Sequence, residues 1–293
     1  MKNNTKKIYS VLLKSMTVLM TVIIFLIILP GTVYLWHSLK PNRLPITITP
    51  RVYNLEFEDV TLETADGLNI AAWYLGAQRK DVAVILAHGL GVNREHMLPQ
   101  AAYFVSRFQI PTLLIDVRGH GQSSPSFFSF GISEAEDIIA AIHFLDNTLG
   151  AEVKIGAYGF SAGTAAIMHA FALTQYPFSF LILESPALTN LDGVPLIEIL
   201  FLECMTGLPL RKYDSYAALT KADFPILTIA GDEELYCKQQ ALRIANSNRH
   251  LLSSNQIISN AGHGGCWGPK FKKAVQKLLQ DISWVTAEKS RAE

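Results

Sequence analysis

The feature that most constrains this chain is a recurring pattern: short, mainly apolar runs that alternate with stretches of helical spacing. Val82–Ala87 is the clearest. A strand with one wet face would alternate. A run apolar throughout fits a strand covered by helices on both faces, as in a parallel sheet. Residues 111–117 form a second run, followed by a helical pattern over about 133–147. Residues 153–158 form a third, with a helix starting near Ser161. Residues 180–183, 224–230 and 256–259 continue the series, with helices expected near 238–245 and 269–282. Upstream, residues 54–63 alternate like a half-exposed strand, and Asp66-Gly67 turns it into a hairpin partner over 68–74. The alternation predicts an α/β fold: a mostly parallel sheet, helices on both faces and right-handed crossovers. Such sheets bind ligands beyond the carboxyl ends of their strands. Every candidate residue below is tested against that rule.

The N-terminus has a different character. Four lysines (Lys2, Lys6, Lys7, Lys14) precede a stretch over 15–39 with no Asp, Glu, Lys or Arg. A helix needs roughly 20 apolar residues to cross a bilayer, and this stretch is long enough. Tyr34 and Trp36 stand where an interfacial aromatic belt would lie. A cleaved signal peptide would want an A-x-A-like site, and Leu29-Pro30-Gly31 is a poor one. The expectation is therefore a single-pass anchor. The lysines before it favour a cytoplasmic N-terminus and an external or periplasmic domain. The expected organisation is a basic tail over 1–14, an anchor over 15–39, a proline-stiffened linker over 40–52 and an α/β domain over 53–293.

Charge and cysteines exclude several classes. Twenty-five basic residues balance twenty-five acidic ones, which gives nucleic acid no electrostatic purchase. Cys204, Cys237 and Cys266 form no CxxC pair, so a zinc ribbon or thioredoxin-type site has no support. No metal or organic cofactor is implied.

The run over 153–158 leads directly into Gly159-Phe160-Ser161-Ala162-Gly163. A sharp strand-to-helix turn of this kind lifts a serine hydroxyl above the sheet, and the two glycines leave room for strand and helix to meet. Ser161 is the candidate nucleophile. It needs a base. His37 lies in the anchor, His143 and His169 fall inside helical patterns, and His250 precedes the last strand. His263 follows the last strand directly, in Asn260-Ala261-Gly262-His263-Gly264-Gly265, on the same edge as Ser161. The acid should follow another strand there. Gly231-Asp232-Glu233-Glu234 does so, with Glu234 and Asp232 as contenders.

Together these pieces resemble the α/β-hydrolase superfamily, especially the bacterial branch grouped with serine aminopeptidase S33-like and monoacylglycerol-lipase-like hydrolases. The resemblance rests on Ala87-His88-Gly89-Leu90-Gly91, Asp116-Val117-Arg118-Gly119-His120-Gly121-Gln122-Ser123, the serine turn, the Gly231 loop and His263. It implies an acid three residues after the glycine, which selects Glu234 over Asp232. It also implies an oxyanion hole from the backbone N–H groups of Leu90 and Ala162, and structural or loop-positioning roles for His88 and His120.

The fold implied by the resemblance would insert a cap over about 186–222. Phe127, Phe128 and Phe130 follow the fourth strand, where they could receive an acyl chain or pack a lid. Cys237 and Cys266 flank the acid and the base and could form a disulfide in an oxidising compartment. The expected function is a membrane-anchored serine hydrolase that cleaves carboxylic esters, with acyl-ester or lipid-like small molecules as substrates. A peptidase or thioesterase would use the same triad. A non-catalytic binding protein of the same fold usually lacks a triad member.

Overall fold

The computed structural model describes residues 12–23, 25–26, 29–30, 33, 39–187, 195–208, 215–248 and 250–286. Among them, eight strands form one sheet in the order β1-β2-β4-β3-β5-β6-β7-β8. The strands are β1 (Glu58–Glu63), β2 (Asn69–Leu75), β3 (Val82–Ala87), β4 (Thr112–Ile115), β5 (Lys154–Phe160), β6 (Phe180–Glu184), β7 (Ile226–Gly231) and β8 (Ser254–Ile258). The hairpin of β1 and β2 is antiparallel and joins β4 antiparallel. From β4 to β8 every pairing is parallel.

β3, β4, β6 and β7 are buried at every position. Their apolar runs need two covering layers, and the structure has two. On one face pack α1 (Ala135–Leu149) and α2 (Ala162–Thr174), through residues such as Ile138, Ile142, Ile167 and Phe171. On the other pack a broken helical segment over 94–107 and the amphipathic helix Pro269–Asp281, through Leu98, Phe104, Phe271 and Val275. The segment over 94–107 was not expected from the sequence. It runs through a 3-10 turn, a short α-helix and a π turn in succession, so no single period marks it.

The region expected as a cap holds α3 (Leu196–Thr206) and α4 (Ser215–Leu219). The rest of it, 188–194 and 209–214, lies outside the described residues. The inner side of α3 places Ile199 and Leu202 against Phe128, Phe130 and Leu39. Its outer side leaves Leu196, Ile197, Leu200 and Phe201 exposed. It covers the aromatic loop rather than the sheet. After β7 comes α5 (Leu235–Ser247), and the amphipathic helix Pro269–Asp281 is α6.

The membrane span expected over 15–39 lies partly outside the described residues. Residues 12–23 are helical with exposed side chains, but residues 24, 27–28, 31–32 and 34–38 lie outside the described set. Among the described residues no helix is long and apolar enough to cross a membrane. The stretch expected as a linker is extended but not loose. Arg43 donates to the Ser123 carbonyl at 2.6 Å, the backbone N–H groups of Thr47 and Ile48 donate to Glu95, and the Asn93 amide donates to the Leu44 and Pro45 carbonyls. The segment from residue 39 to residue 50 is a strap across the domain.

Candidate active site

Ser161 sits between the end of β5 and the first turn of α2. Its φ is 51° and its ψ −117°. A positive φ at a residue with a Cβ costs on the order of 1–3 kcal/mol, so the surrounding packing has to hold it there. The Ser161 N–H donates to the Glu184 carbonyl at the end of β6 (2.9 Å), and the Thr164 N–H donates to the Ser161 carbonyl (2.9 Å). The flanking glycines are required by contact. A Cβ on Gly163 would run into the Ala87 carbonyl of β3, and one on Gly159 would lie 2.7 Å from the Gly163 carbonyl carbon. Strand and helix touch backbone to backbone, which leaves the serine as the projecting side chain.

His263 reaches Ser161 from the loop after β8. Its Nε2 lies 2.9 Å from the Ser161 Oγ, and its Nδ1 hydrogen-bonds to Glu234 Oε1. With Nδ1–H donating to the carboxylate, Nε2 is left to accept from the hydroxyl. That is the tautomer a general base needs. The two carboxylates left open by the sequence separate here. Glu234 faces the imidazole, whereas Asp232 turns away and accepts the Asn260 N–H at 2.8 Å. Glu234 Oε2 also accepts the Ser185 hydroxyl at 2.7 Å, and the Cys237 thiol hydrogen-bonds to the same carboxylate. Cys237 and Cys266 are free thiols, both buried, so the disulfide considered from the sequence is not formed. Burial and the neighbouring carboxylates push both thiols up to about 12.

Leu90 and Ala162, the expected oxyanion residues, both line the cavity beside Ser161. The two buried histidines of the expected pattern brace this loop. The His88 Nε2 accepts the Val117 N–H at 3.1 Å, and its Nδ1 donates to the Gly89 carbonyl at 2.7 Å. The His120 Nε2 accepts the Gly91 N–H at 3.1 Å. Together they tie the turn around Leu90 to the loop after β4. Both roles require neutral rings. Burial supplies that condition, lowering His120 and taking His88 down to about 3.

The cavity is about 280 Å³. Ser161 and His263 form its floor, and Phe128, Phe130, Ala165 and Tyr236 form much of its wall. Phe128 and Phe130 belong to a loop fixed by the buried Glu134, which accepts the Ser129 and Gly131 N–H groups and the Ser129 hydroxyl. Phe127 packs against the same cluster from outside.

Three nearby residues escaped the sequence reading. Phe160 packs its ring against His263 (5.0 Å between centroids) and against His96 on its other side (5.0 Å). Ser185 supports Glu234. Glu184, buried beneath the site, accepts the Tyr158 hydroxyl; burial first, then Glu234, raises it to about 7. The one signal available was position: Glu184 ends β6 on the active edge and Ser185 follows it directly.

The sequence model of the alpha/beta hydrolase family matches residues 84–267. The protein bem46 of Schizosaccharomyces pombe is 28% identical over 153 residues, 51% of this chain and 50% of that one, so the chain spans about half the length of this relative. The uncharacterised protein YqkD of Bacillus subtilis is 26% identical over 251 residues, 76% of this chain and 79% of that one. Among solved structures, the esterase Pf2001 of Pyrococcus furiosus superposes with a TM-score of 0.63 at 20% identity, covering 82% of this chain and 98% of the other.

Proposed function

This chain belongs to the alpha/beta hydrolase family, and from that premise we propose that it is a membrane-anchored serine hydrolase cleaving carboxylic esters of acyl or lipid-like small molecules. The observation that carries the reading is one unbroken line of hydrogen bonds, Glu234 to His263 to Ser161, ending on a hydroxyl at the floor of an apolar cavity.

In the proposed reaction, the Ser161 Oγ attacks the ester carbonyl while the His263 Nε2 takes its proton. Glu234 stabilises the imidazolium as it forms. The Leu90 and Ala162 N–H groups receive the charge on the carbonyl oxygen; a single donor of this kind contributes about 3–4 kcal/mol. His263 then protonates the departing alcohol. Water, deprotonated by the same ring, releases the acyl group.

Two observations favour a lipid-like acyl group. The wall is aromatic and aliphatic, and the charge-free N-terminal stretch ends against the aromatic loop that forms part of it. Leu39 is fully buried against Phe128, Phe130, Ile199 and Leu202, and the Phe128 N–H donates to its carbonyl at 2.6 Å. An anchor leaving there would hold the mouth close to a bilayer, with the exposed apolar side of α3 beside it. The expected topology keeps the N-terminus cytoplasmic and the catalytic domain external. The test is fluorophosphonate labelling of the full chain in detergent, followed by a chain-length series of p-nitrophenyl esters. Labelling is expected in the wild type and lost in Ser161→Ala, with medium or long acyl chains preferred over acetate. Folded wild-type protein that does not label would overturn the reading.

A further inference from the structure

The acid–base pair has a third neighbour of a different chemical kind. Glu234, Cys237 and His263 each offer one ligand atom, a carboxylate oxygen, a thiol sulfur and an imidazole nitrogen, and all three atoms lie within 4.8 Å of one another. The juxtaposition is built into the chain. Glu234 is the residue before α5 and Cys237 lies in its first turn, and a separation of three places two side chains on one helix face. His263 descends on them from the loop after β8, whose residues Gly262, Gly264 and Gly265 leave the half-exposed ring free to adjust. The surroundings are acidic: Glu234 bears directly on the Cys237 thiol, and Glu184 and Glu234 both bear on the neighbouring Cys266. The cavity leads solvent to the cluster, since Cys237 and His263 both line it.

We propose that this cluster is an inhibitory site for a thiophilic divalent cation of the zinc class, with Glu234, Cys237 and His263 as three ligands and water as the fourth. The donor set decides the class: thiolate with imidazole selects zinc-like ions, whereas magnesium and calcium require oxygen shells. In a tetrahedral zinc site, ligand atoms stand about 3.3–3.8 Å apart. Closing the cluster therefore takes a shift of about 1 Å in the longest separation, within reach of a side chain on a glycine-rich loop. Binding releases the Cys237 thiol proton to solvent and forms the metal–sulfur bond; no oxidation state changes. Inhibition follows from the two nitrogens of His263. A metal on Nδ1 leaves the ring proton on Nε2, which then donates to Ser161 and cannot accept its proton. The inhibitory half of the proposal rests on the hydrolase reading; the binding half does not.

The experiment is a Co2+ titration of the full chain in detergent, followed by displacement with Zn2+. Wild type and Ser161→Ala are both expected to bind one equivalent, giving a near-ultraviolet thiolate-to-cobalt band that Zn2+ removes. Cys237→Ser should lose the band and weaken Zn2+ binding at least about tenfold, while Cys204→Ser keeps both. His263→Gln, at a half-exposed position, provides a second ligand deletion should Cys237→Ser not fold, and it too should weaken Zn2+ at least about tenfold. Zn2+ should slow fluorophosphonate labelling of the wild type in step with occupancy, and a chelator should restore it. A thiolate band without any labelling supports the site while removing the hydrolase reading. Folded wild type with no thiolate band, or a band that survives in Cys237→Ser, overturns the proposal.

Discussion

At the scale of single residues, the site depends on which side chains hold Glu234 and His263 in register. Ser161 and His263 were readable because Ser161 follows the buried β5 and His263 follows the partly exposed edge strand β8, both at the carboxyl edge of the sheet. The acid was not readable from the residues alone. Asp232 and Glu234 flank one turn, and the resemblance favoured Glu234 only by its offset from Gly231. What separates them is the path of the loop, which points Asp232 at the Asn260 N–H and Glu234 at the imidazole. Glu234→Gln is therefore expected to lower kcat by roughly 10²–10⁴-fold, as the loss of the orienting acid does in other triads, with Asp232→Asn within about threefold of wild type. Steady-state ester hydrolysis by both variants checks the pair, and the reverse order would move the acid to Asp232. Ser185 is the residue that no motif announced. Its hydroxyl donates to the carboxylate oxygen that His263 does not use. Hydrogen bonds to charged groups contribute about 1.5–3 kcal/mol, so Ser185→Ala should lower kcat about tenfold or more while leaving KM near wild type. Because Ser185 acts through Glu234, the Glu234→Gln and Ser185→Ala effects should fall well short of additive in the double variant.

At the scale of elements, the strands and helices that the sequence marked most clearly are those with one environment along their whole length. β3 has the bounds the pattern predicts, because it is apolar at every position, and α2 starts where the serine turn places it. The segment over 94–107 was missed because Pro99 and three successive helical geometries break its period. The strap over 40–52 read as a linker because its prolines fit an extended chain; its docking depends on Glu95 and Asn93, which lie nearly fifty residues away. The junction of β5, α2 and β3 is the tightest contact between elements and lends itself to a test. Gly163 has ordinary backbone angles, so the obstacle to a side chain there is purely steric: its Cβ would collide with the carbonyls of Ala87 and His88. Gly163→Ala must push α2 away from β3, at a cost of about 1–3 kcal/mol for the overpacking. The denaturation midpoint should fall accordingly, and fluorophosphonate labelling of the remaining folded protein should slow, because Ala162 N–H moves with the helix. A variant as stable and as reactive as wild type would show that the junction is looser than these contacts require.

At the scale of the whole molecule, the two buried histidines that brace the Leu90 loop link activity to global stability. Neither could be assigned from spacing beyond a general structural role, since their partners come from the loops after β3 and β4 together. The His88 ring is hydrogen-bonded on both sides in its neutral form, accepting from Val117 and donating to Gly89. Protonation would destroy the acceptor. Burial takes its pKa from 6.5 to about 3, so between these values the unfolded chain binds a proton that the folded chain refuses. Stability should then be complete above pH 6.5 and fall as the pH drops toward 3, by up to about 1.4 kcal/mol per pH unit from this ring. Glu184 works in the opposite direction. Its carboxyl, raised from 4.5 to about 7, keeps its proton when the unfolded chain has lost it, so its contribution favours the folded state at acid pH and is lost as the pH rises toward 7. The two overlap between about 4.5 and 6.5, where the net slope of the wild type is blunted. Variants separate them. His88→Gln should reduce acid sensitivity below pH 6.5 even though it lowers stability at pH 7.5. Glu184→Gln should make the wild-type acid sensitivity steeper over the overlap. Denaturant midpoints for the three proteins at half-unit steps from pH 4.5 to 7.5 measure both slopes. If His88→Gln retains the full wild-type slope, the ring is accepting its proton in the folded state, and the loop that presents Leu90 to the cavity is braced by something other than a neutral imidazole.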